Sequence, residues 1–327
     1  MVDAPVLLAA RSLGLGDFVT GVPALRALES AFPGHTRFLA APAWYGELIE
    51  HAGLNWSVVP TDPLRTPSWR GPAPELAVNL HGRGPQSTDA LLALAPEELW
   101  AHECGGLASA ARAPWPGPVH DARLWCALLE WYGVSTDPED LRWPWPGPTD
   151  VSEHTVIVHP GAASVSRQWP PLLFARVVRY LGGLGFRVLL TGSAEERATA
   201  EQVAGAAGSA KTSVLAGRTD IDRLVRLVAN ARLLVCGDTG VAHVATAHGT
   251  PSVRLFGPVP PSLWGPLVDT DLHECLWSGR RGDPHADRLD PGLAALTVDE
   301  VCRACDRVLR STEHLRSRHR QRHTMGR

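Results

Sequence analysis

The chain has 327 residues, of which 44% are hydrophobic and 20% are charged, and its formal net charge at pH 7 is −3. This length suffices for two globular domains of ordinary size. Its mean hydropathy is close to zero, no apolar run approaches the ~20 residues needed to span a bilayer, and no basic segment precedes an apolar stretch at the N-terminus. We therefore expect a soluble, cytoplasmic protein and exclude a membrane-spanning one.

Apolar runs alternate with segments of helical period along the chain. The runs predict buried strands at residues 6–10, 36–41, 76–80, 156–159, 187–191, 233–236 and 252–256. The intervening pattern predicts helices that include residues 23–32, 171–184, 195–207 and 221–229. Strands separated by helices of this length indicate βαβ units and parallel sheets.

A Trp-Pro-Trp-Pro-Gly-Pro segment at residues 143–148 divides the chain, because three prolines and a glycine end any regular element and stiffen a linker. The predicted domains are residues 1–148 and 149–310, each with one doubly wound parallel sheet. Residues 311–327 are basic and polar and predict a disordered tail. Ligands of such sheets bind beyond the carboxyl ends of the strands, so we expect them in a cleft between the domains.

A glycine-rich turn follows the first predicted strand. Gly14 and Gly16 fit the start of a dinucleotide fingerprint, but Val19 replaces its third glycine and no acidic residue ends the next strand near Leu39. A dehydrogenase is therefore excluded. The turn offers instead Asp17, a carboxylate at the mouth of the first strand, which can act as a general base or as a cap of the following helix.

Two further turns are suited to phosphate. Residues 233–236 lead into Asp238-Thr-Gly240, where a helix that opens on Thr-Gly points free N–H groups and its positive dipole end at a ligand. His159-Pro-Gly161 also turns on glycine after a strand and can face phosphate oxygens with its N–H groups. Either segment taken alone could be an ordinary βα turn.

These motifs, in this order, resemble those of the heptosyltransferase-type glycosyltransferases of family 9. The matching segments are residues 13–28, residues 159–162 with 167–170, and residues 236–258. The resemblance implies the GT-B fold, in which two Rossmann-like domains face each other across a cleft, the first binding the acceptor and the second a nucleotide sugar. It implies metal-independent transfer with inversion, most simply of heptose from ADP-heptose, and no cofactor besides that co-substrate.

The resemblance also assigns residues. It implies that Asp17 is the base, with His81 as a second possible proton acceptor. Arg167 takes the place of the family's usual lysine beside the diphosphate, and Glu195 that of an acid on the nucleotide ribose, with Glu196 equally well placed. The full set of implied donor-binding residues is His159, Gly161, Ala162, Arg167, Glu195, Asp238, Thr239, Gly240 and His243.

A polar loop at residues 79–87 is the candidate acceptor site. It follows a strand and offers amide, imidazole, guanidinium and hydroxyl groups, which suit sugar hydroxyls, although these groups could instead satisfy one another within the loop. His120 precedes a helix that could line the same cleft. The predicted acceptor-binding residues are Gly16, Asn79, His81, Arg83, Gln86 and His120.

Charge is unevenly distributed. Residues 1–150 contain 17 acidic and nine basic side chains, a net of −8, and residues 151–327 contain 17 acidic and 22 basic side chains, a net of +5. An acidic first domain attracts cations, which favours a small, amine-bearing acceptor such as an aminocyclitol, and a role in antibiotic biosynthesis. The alternatives are a heptosyltransferase of cell-envelope glycolipid synthesis, a nucleotide-sugar epimerase or hydrolase, and a non-catalytic sugar-nucleotide-binding protein.

The six cysteines form no recognisable framework. Cys302 and Cys305 have the spacing of half a metal site, but no second pair follows, and this spacing is also one face of a helix. We predict no metal site and no nucleic-acid partner.

Overall fold

The computed structural model describes residues 4–104, 112–149, 151–152 and 154–324, with side chains as far as residue 312. The chain divides into two compact units, Met1–Pro144 and Trp145–Arg327. The division falls inside the proline-rich segment, four residues before the boundary proposed from the sequence.

The first unit is built on a parallel sheet of five strands. They are β1 (Val6–Ala10), β2 (Thr36–Ala41), β3 (Ser57–Pro60), β4 (Leu76–Asn79) and β5 (Glu98–Trp100). Their order is β3-β2-β1-β4-β5, and every neighbouring pair is parallel. The chain therefore winds outward in one direction from β1 and then in the other, which leaves a switch point between the carboxyl ends of β1 and β4.

Four α-helices accompany these strands in the described residues, and the first three of them connect strands. They are α1 (Leu15–Ala31), α2 (Tyr45–Ala52), α3 (Gln86–Leu92) and α4 (Asp121–Trp131). Helix α1 begins eight residues before the segment of helical period at residues 23–32. Pro23 lies inside the helix. The buried residues on both sides of it, such as Phe18 and Leu25, provide packing that outweighs its local cost.

The second unit is built on a parallel sheet of six strands. They are β6 (Thr155–His159), β7 (Arg187–Leu190), β8 (Thr212–Val214), β9 (Leu233–Gly237), β10 (Ser252–Phe256) and β11 (His273–Trp277). Their order is β11-β10-β9-β6-β7-β8, again all parallel. The switch point of this sheet lies between the carboxyl ends of β6 and β9.

Seven α-helices accompany this sheet in the described residues. They are α5 (Pro171–Gly183), α6 (Arg197–Ala207), α7 (Ile221–Asn230), α8 (Gly240–His248), α9 (Pro261–Trp264), α10 (Pro291–Ala294) and α11 (Val298–Thr324). Trp169, just before α5, is 1% exposed, packs edge-on against Phe174 and donates from Nε1 to the Leu296 carbonyl at 3.2 Å. Burying an indole of roughly 150–250 Å² contributes on the order of 4–6 kcal/mol, so Trp169 anchors the core of this unit rather than a ligand.

Helix α11 differs from the predicted disordered tail, since it continues through residues 311–324. Its first part is anchored by Val301, Ala304, Cys305 and Val308, which are buried in the core. Once a helix is nucleated, each further residue costs little free energy, and residues 298–325 contain no glycine or proline that would end the helix. Residues 325–327 of the predicted tail lie outside the described residues.

Candidate functional site

The carboxyl edge of the first sheet carries Asp17 in the first turn of α1. Its Oδ2 accepts a hydrogen bond from the Gly14 N–H at 3.1 Å, so the carboxylate caps the helix. Its other oxygen, Oδ1, makes no hydrogen bond to another residue in the described part of the chain. Burial raises the pKa of Asp17, opposed by the Arg11 guanidinium and assisted by the Asp121 carboxylate. The cap therefore orients one oxygen and leaves the other available to take a proton.

Arg11 connects several segments at the carboxyl edge of the first sheet. Its side chain is fully buried and donates to the carbonyl of Asp17 at 2.5 Å and to that of Leu80 at 2.6 Å. It also pairs with Asp121 Oδ2 at 2.6 Å, and this oxygen accepts from Thr20 Oγ1 at 2.5 Å. One guanidinium thus joins the loops after β1 and β4, on either side of the switch point, to the start of α4.

The sequence alone did not identify Arg11 as a site residue, and it offered Asp121 only together with His120 and Arg123, as residues before a helix that could line the acceptor cleft. A single arginine after a strand looks like a surface residue, and its partner is 110 residues away. Two signals were present. Asp121 adjoins the predicted His120, and Gly21 has no side chain at a point where a Cβ would lie 2.6 Å from Arg11 Nε.

Asn79 stabilises the loop after β4 rather than facing solvent. It is fully buried, its Nδ2 donates to Ser87 Oγ at 3.0 Å and to Thr88 Oγ1 at 2.9 Å, and its Oδ1 accepts from the His81 N–H at 3.0 Å. These bonds use both ends of the amide. Asn79 therefore shapes the loop and does not present its side chain to an acceptor.

His81 is held in one tautomer. Its Nδ1 accepts from the Ser12 N–H at 3.0 Å, so in the neutral ring the proton is on Nε2. Burial, together with the positive charge of Arg11, lowers the pKa of His81. The ring can donate a hydrogen bond from Nε2, but it is not arranged to accept a proton.

The other predicted acceptor residues are spread over this edge. Gly16 is buried in the first turn of α1, and Gln86 is exposed at the start of α3. Arg83 is exposed and donates from Nε to the Glu103 carbonyl at 3.2 Å. His120 is buried and caps α4 by accepting from the Ala122 N–H at 3.2 Å, so its ring serves the helix.

A cavity of about 270 Å³, including solvent at its mouth, opens beside His81. The ends of β1, β2 and β3 and the loop after β4 provide its walls, and its polar lining includes Ser12, Asp62, Arg65 and His81. The loop after β3 was not predicted to contribute to the site, because β3 itself was not predicted.

Two polar residues lie at the switch point of the second sheet. His159 is the last residue of β6, and Asp238 directly follows β9. His159 is buried, and its Nδ1 lies 3.1 Å from Thr191 Oγ1. Its Nε2 lies 3.6 Å from Glu196 Oε2. Burial lowers the pKa of His159, although the Glu196 carboxylate opposes this. The imidazole is therefore a neutral, fixed wall of the site.

The structure distinguishes Glu195 from Glu196. Glu195 is exposed, and hydrogen bonds from its own backbone and from Ser193 lower its pKa. Glu196 is half-buried, accepts from the Ser193 N–H at 2.8 Å and lies so close to Gly161 that a Cβ there would be 2.1 Å from Glu196 Oε1. Glu196, rather than Glu195, lies beside His159 and Gly161, and only a glycine at position 161 leaves room for this approach.

Asp238 forms an ion pair with Arg167. Its Oδ2 lies 3.8 Å from Arg167 Nη1, and the Arg167 Nε is buried with no hydrogen-bond partner among the described residues. Burial raises the pKa of Asp238 to about 6, against the lowering effect of Arg167 and of the buried Arg254. Arg167 is therefore a partly buried cation with an unused donor, and both properties favour the binding of an anion. Ala162, from the same turn, is buried and accepts at its carbonyl from Gln168 Nε2 at 2.8 Å.

Helix α8 begins at the third predicted motif. Thr239 is its N-cap residue but makes no side-chain cap, and Gly240 is the first helical residue. The first N–H groups are therefore not capped by that side chain. His243 is buried one turn further along, with its ring edge-on to Trp264 at 5.7 Å, so it packs within the protein.

No group of three or more His, Cys, Asp or Glu side chains in the described ranges could hold a metal ion. Cys302 and Cys305 are free and lie on α11. Among the helices that could be searched, none is long and apolar enough to cross a membrane.

Comparisons with known proteins show similarity to one family. The model of glycosyltransferase family 9 (heptosyltransferase) matches residues 136–291. Over these residues, the chain is similar to glycosyltransferase family 9. Lipooligosaccharide heptosyltransferase 2 of Haemophilus ducreyi is 36% identical over 163 residues, which are 46% of this chain and 46% of that protein. The matched region thus spans about half the length of this curated relative.

Solved structures resemble the whole chain. The glycosyl transferase family 9 protein of Veillonella parvula has a TM-score of 0.77 at 18% identity, covering 95% of this chain and 99% of its own. The E. coli ADP-heptose lps heptosyltransferase II has a TM-score of 0.74 at 21% identity, covering 94% and 99%. The predicted fold class, two Rossmann-like doubly wound domains of the GT-B type, is confirmed.

Proposed function

We propose that this protein is a member of glycosyltransferase family 9 that transfers a heptose from ADP-heptose to a hydroxyl group of a cell-envelope glycolipid. The names of its relatives support both parts, since they are heptosyltransferases of lipopolysaccharide or lipooligosaccharide, and one solved relative is an ADP-heptose lps heptosyltransferase. Two features of this chain carry the proposal. The first unit has a half-buried carboxylate, Asp17, with one oxygen that makes no hydrogen bond to another described residue. The second unit has Arg167 beside Asp238 at its switch point, with a donor that has no partner among the described residues.

The second unit would bind the donor. The N–H groups at the start of α8 and the guanidinium of Arg167 would receive the diphosphate, because both supply positive charge where the leaving group forms. Glu196 would accept from the ribose hydroxyls. The turn at Gly161 would let the backbone approach the phosphates.

Asp17 would act as the general base. The acceptor hydroxyl would donate its proton to Oδ1 while its oxygen attacks the anomeric carbon on the face opposite the diphosphate, so the configuration inverts. A raised pKa suits this role, since it makes the carboxylate a stronger base. The hydrogen bond from Gly14 would hold the carboxylate in place during the transfer.

Transfer would not depend on a metal ion. Arg167 and the helix dipole of α8 would stabilise the charge that grows on the leaving diphosphate. We therefore expect transfer to continue in the presence of a metal chelator.

The acceptor preferred here differs from that favoured by charge. The net charge of −8 in residues 1–150 favours a cationic, aminocyclitol-like acceptor, which remains the second candidate. The names of the relatives favour a lipopolysaccharide core. We place the core first because those relatives share the family and the fold, whereas an acidic surface also arises simply for solubility.

The test is release of ADP from ADP-heptose in EDTA, with a heptose-deficient core oligosaccharide as acceptor. Product formation with an inverted anomeric centre, read from the anomeric proton coupling, would support the proposal. Binding of ADP-heptose without turnover with either acceptor class would indicate a non-catalytic binding protein. ADP release at the same rate without acceptor would indicate a hydrolase.

A further inference from the structure

A cavity at the carboxyl ends of β10 and β11 is lined by three arginines. Its volume is about 590 Å³, including solvent at its mouth, and Ser166, Arg280, Arg281 and Arg288 are part of its wall. Apart from Ser166, the lining comes from residues 280–292. None of the predicted donor-binding residues lines it, so its side chains differ from those of the site at Arg167 and Asp238, although Ser166 adjoins Arg167 in the chain.

The wall of this cavity is fixed by hydrogen bonds. Ser166 Oγ donates to the Pro284 carbonyl at 2.8 Å, and the Asp290 N–H donates to the Ser166 carbonyl at 3.2 Å. The Gly282 N–H donates to the Pro258 carbonyl at 3.0 Å. Residues 280–292 are therefore held at three points. Two of the bonds go to Ser166 in the 3-10 turn Val165–Arg167, and the third goes to Pro258 after β10.

The arginines of the wall have no carboxylate partner within ion-pair distance in the described residues, unlike Arg226 or Arg307, which pair with Asp222 and Glu274. Two carboxylates, those of Asp283 and Asp290, also line the cavity, and each accepts a hydrogen bond from the backbone. Asp283 Oδ1 accepts from the His285 N–H at 2.8 Å, and Asp290 Oδ1 accepts from the Leu293 N–H at 3.0 Å.

We propose that this cavity is a second anion site, which binds a phosphoryl group independently of the nucleotide sugar. A planar guanidinium matches two phosphate oxygens at once, and three guanidiniums suit a dianion better than a single carboxylate. Three guanidiniums against two carboxylates leave the lining with a net positive charge, which an oxyanion offsets. The phosphoryl group belongs either to free phosphate or to a phosphate ester of a sugar.

The test is the dissociation constant of inorganic phosphate and of glucose 6-phosphate, measured by calorimetry at low salt with glucose as the uncharged reference. The variant is the double substitution R281Q/R288Q, in which both side chains are exposed, so the fold is retained. Its matched control is R187Q, an exposed arginine at the amino end of β7. R167Q removes the cation of the donor site.

We expect saturable phosphate binding that weakens at least about tenfold in R281Q/R288Q and stays within about twofold in R187Q and R167Q. Tighter binding of glucose 6-phosphate than of phosphate would identify a phosphate ester as the ligand, and equal binding a free anion. Absence of saturable binding, or its loss in R167Q but not in R281Q/R288Q, would overturn the proposal. Binding of ADP-heptose by R281Q/R288Q is a separate readout, so the donor site is judged independently.

Discussion

The buried pair of Arg11 and Asp121 makes the sharpest prediction. In Asp121→Asn the shape is kept, but the fully buried guanidinium loses the carboxylate that lies 2.6 Å away. The two side chains are 0% and 11% exposed, so solvent cannot replace the lost partner. Leaving one charge of a buried pair uncompensated costs about 3–5 kcal/mol.

The measurement is the free energy of unfolding from urea titrations. The matched control is Glu139→Gln, whose partner Arg123 lies 3.8 Å away with both side chains more than half exposed. An exposed pair contributes at most about 1 kcal/mol. Equal losses in the two variants would refute the reasoning.

A second readout concerns Asp17. The Asp121 carboxylate raises the pKa of Asp17 and Arg11 lowers it. Because a base must be ionised, Asp121→Asn should move the acidic limb of kcat/KM to lower pH, and Arg11→Met should move it to higher pH. Shifts in the same direction would contradict this electrostatic account even if both variants are destabilised.

The remaining predictions concern the proposed reaction. Asp17→Asn should keep ADP-heptose affinity and lose about 10²- to 10⁴-fold in kcat; near-native turnover would eliminate it as the base. Lowering the pH through about 6 protonates Asp238, removes a negative charge beside the diphosphate and releases Arg167, so nucleotide-sugar binding should tighten between about pH 8 and pH 5. Asp238→Asn should show no such dependence. Glu196→Gln should weaken donor binding about tenfold while Glu195→Gln leaves it unchanged, and the reverse result would assign the ribose to the exposed acid. Acceptor KM should fall with added sodium chloride for an anionic acceptor, because salt screens its repulsion from the acidic first half, and should rise for an aminocyclitol.

The central strands could be predicted from the sequence to within a residue. The strands β1, β2 and β10 begin and end where their predicted runs do, because both faces of a central parallel strand are largely buried and most of its positions are apolar. The four strands that were not predicted, β3, β5, β8 and β11, are the edges of the two sheets. All four are partly exposed, and β3, β5 and β8 have four residues or fewer, so their composition carries little signal.

The individual site residues depended on tertiary structure to different degrees. The glycine-containing turns that follow predicted strands, at residues 14–16, 161 and 240, lie near the two switch points. Glycine at these positions is typical of a sharp turn from a strand into a helix. The role of each polar side chain was decided by partners distant in sequence. Glu196 and Glu195 are neighbours in the chain, yet only one packs against Gly161. Arg11 is buried because Asp121, 110 residues away, offsets the cost of removing its charge from water.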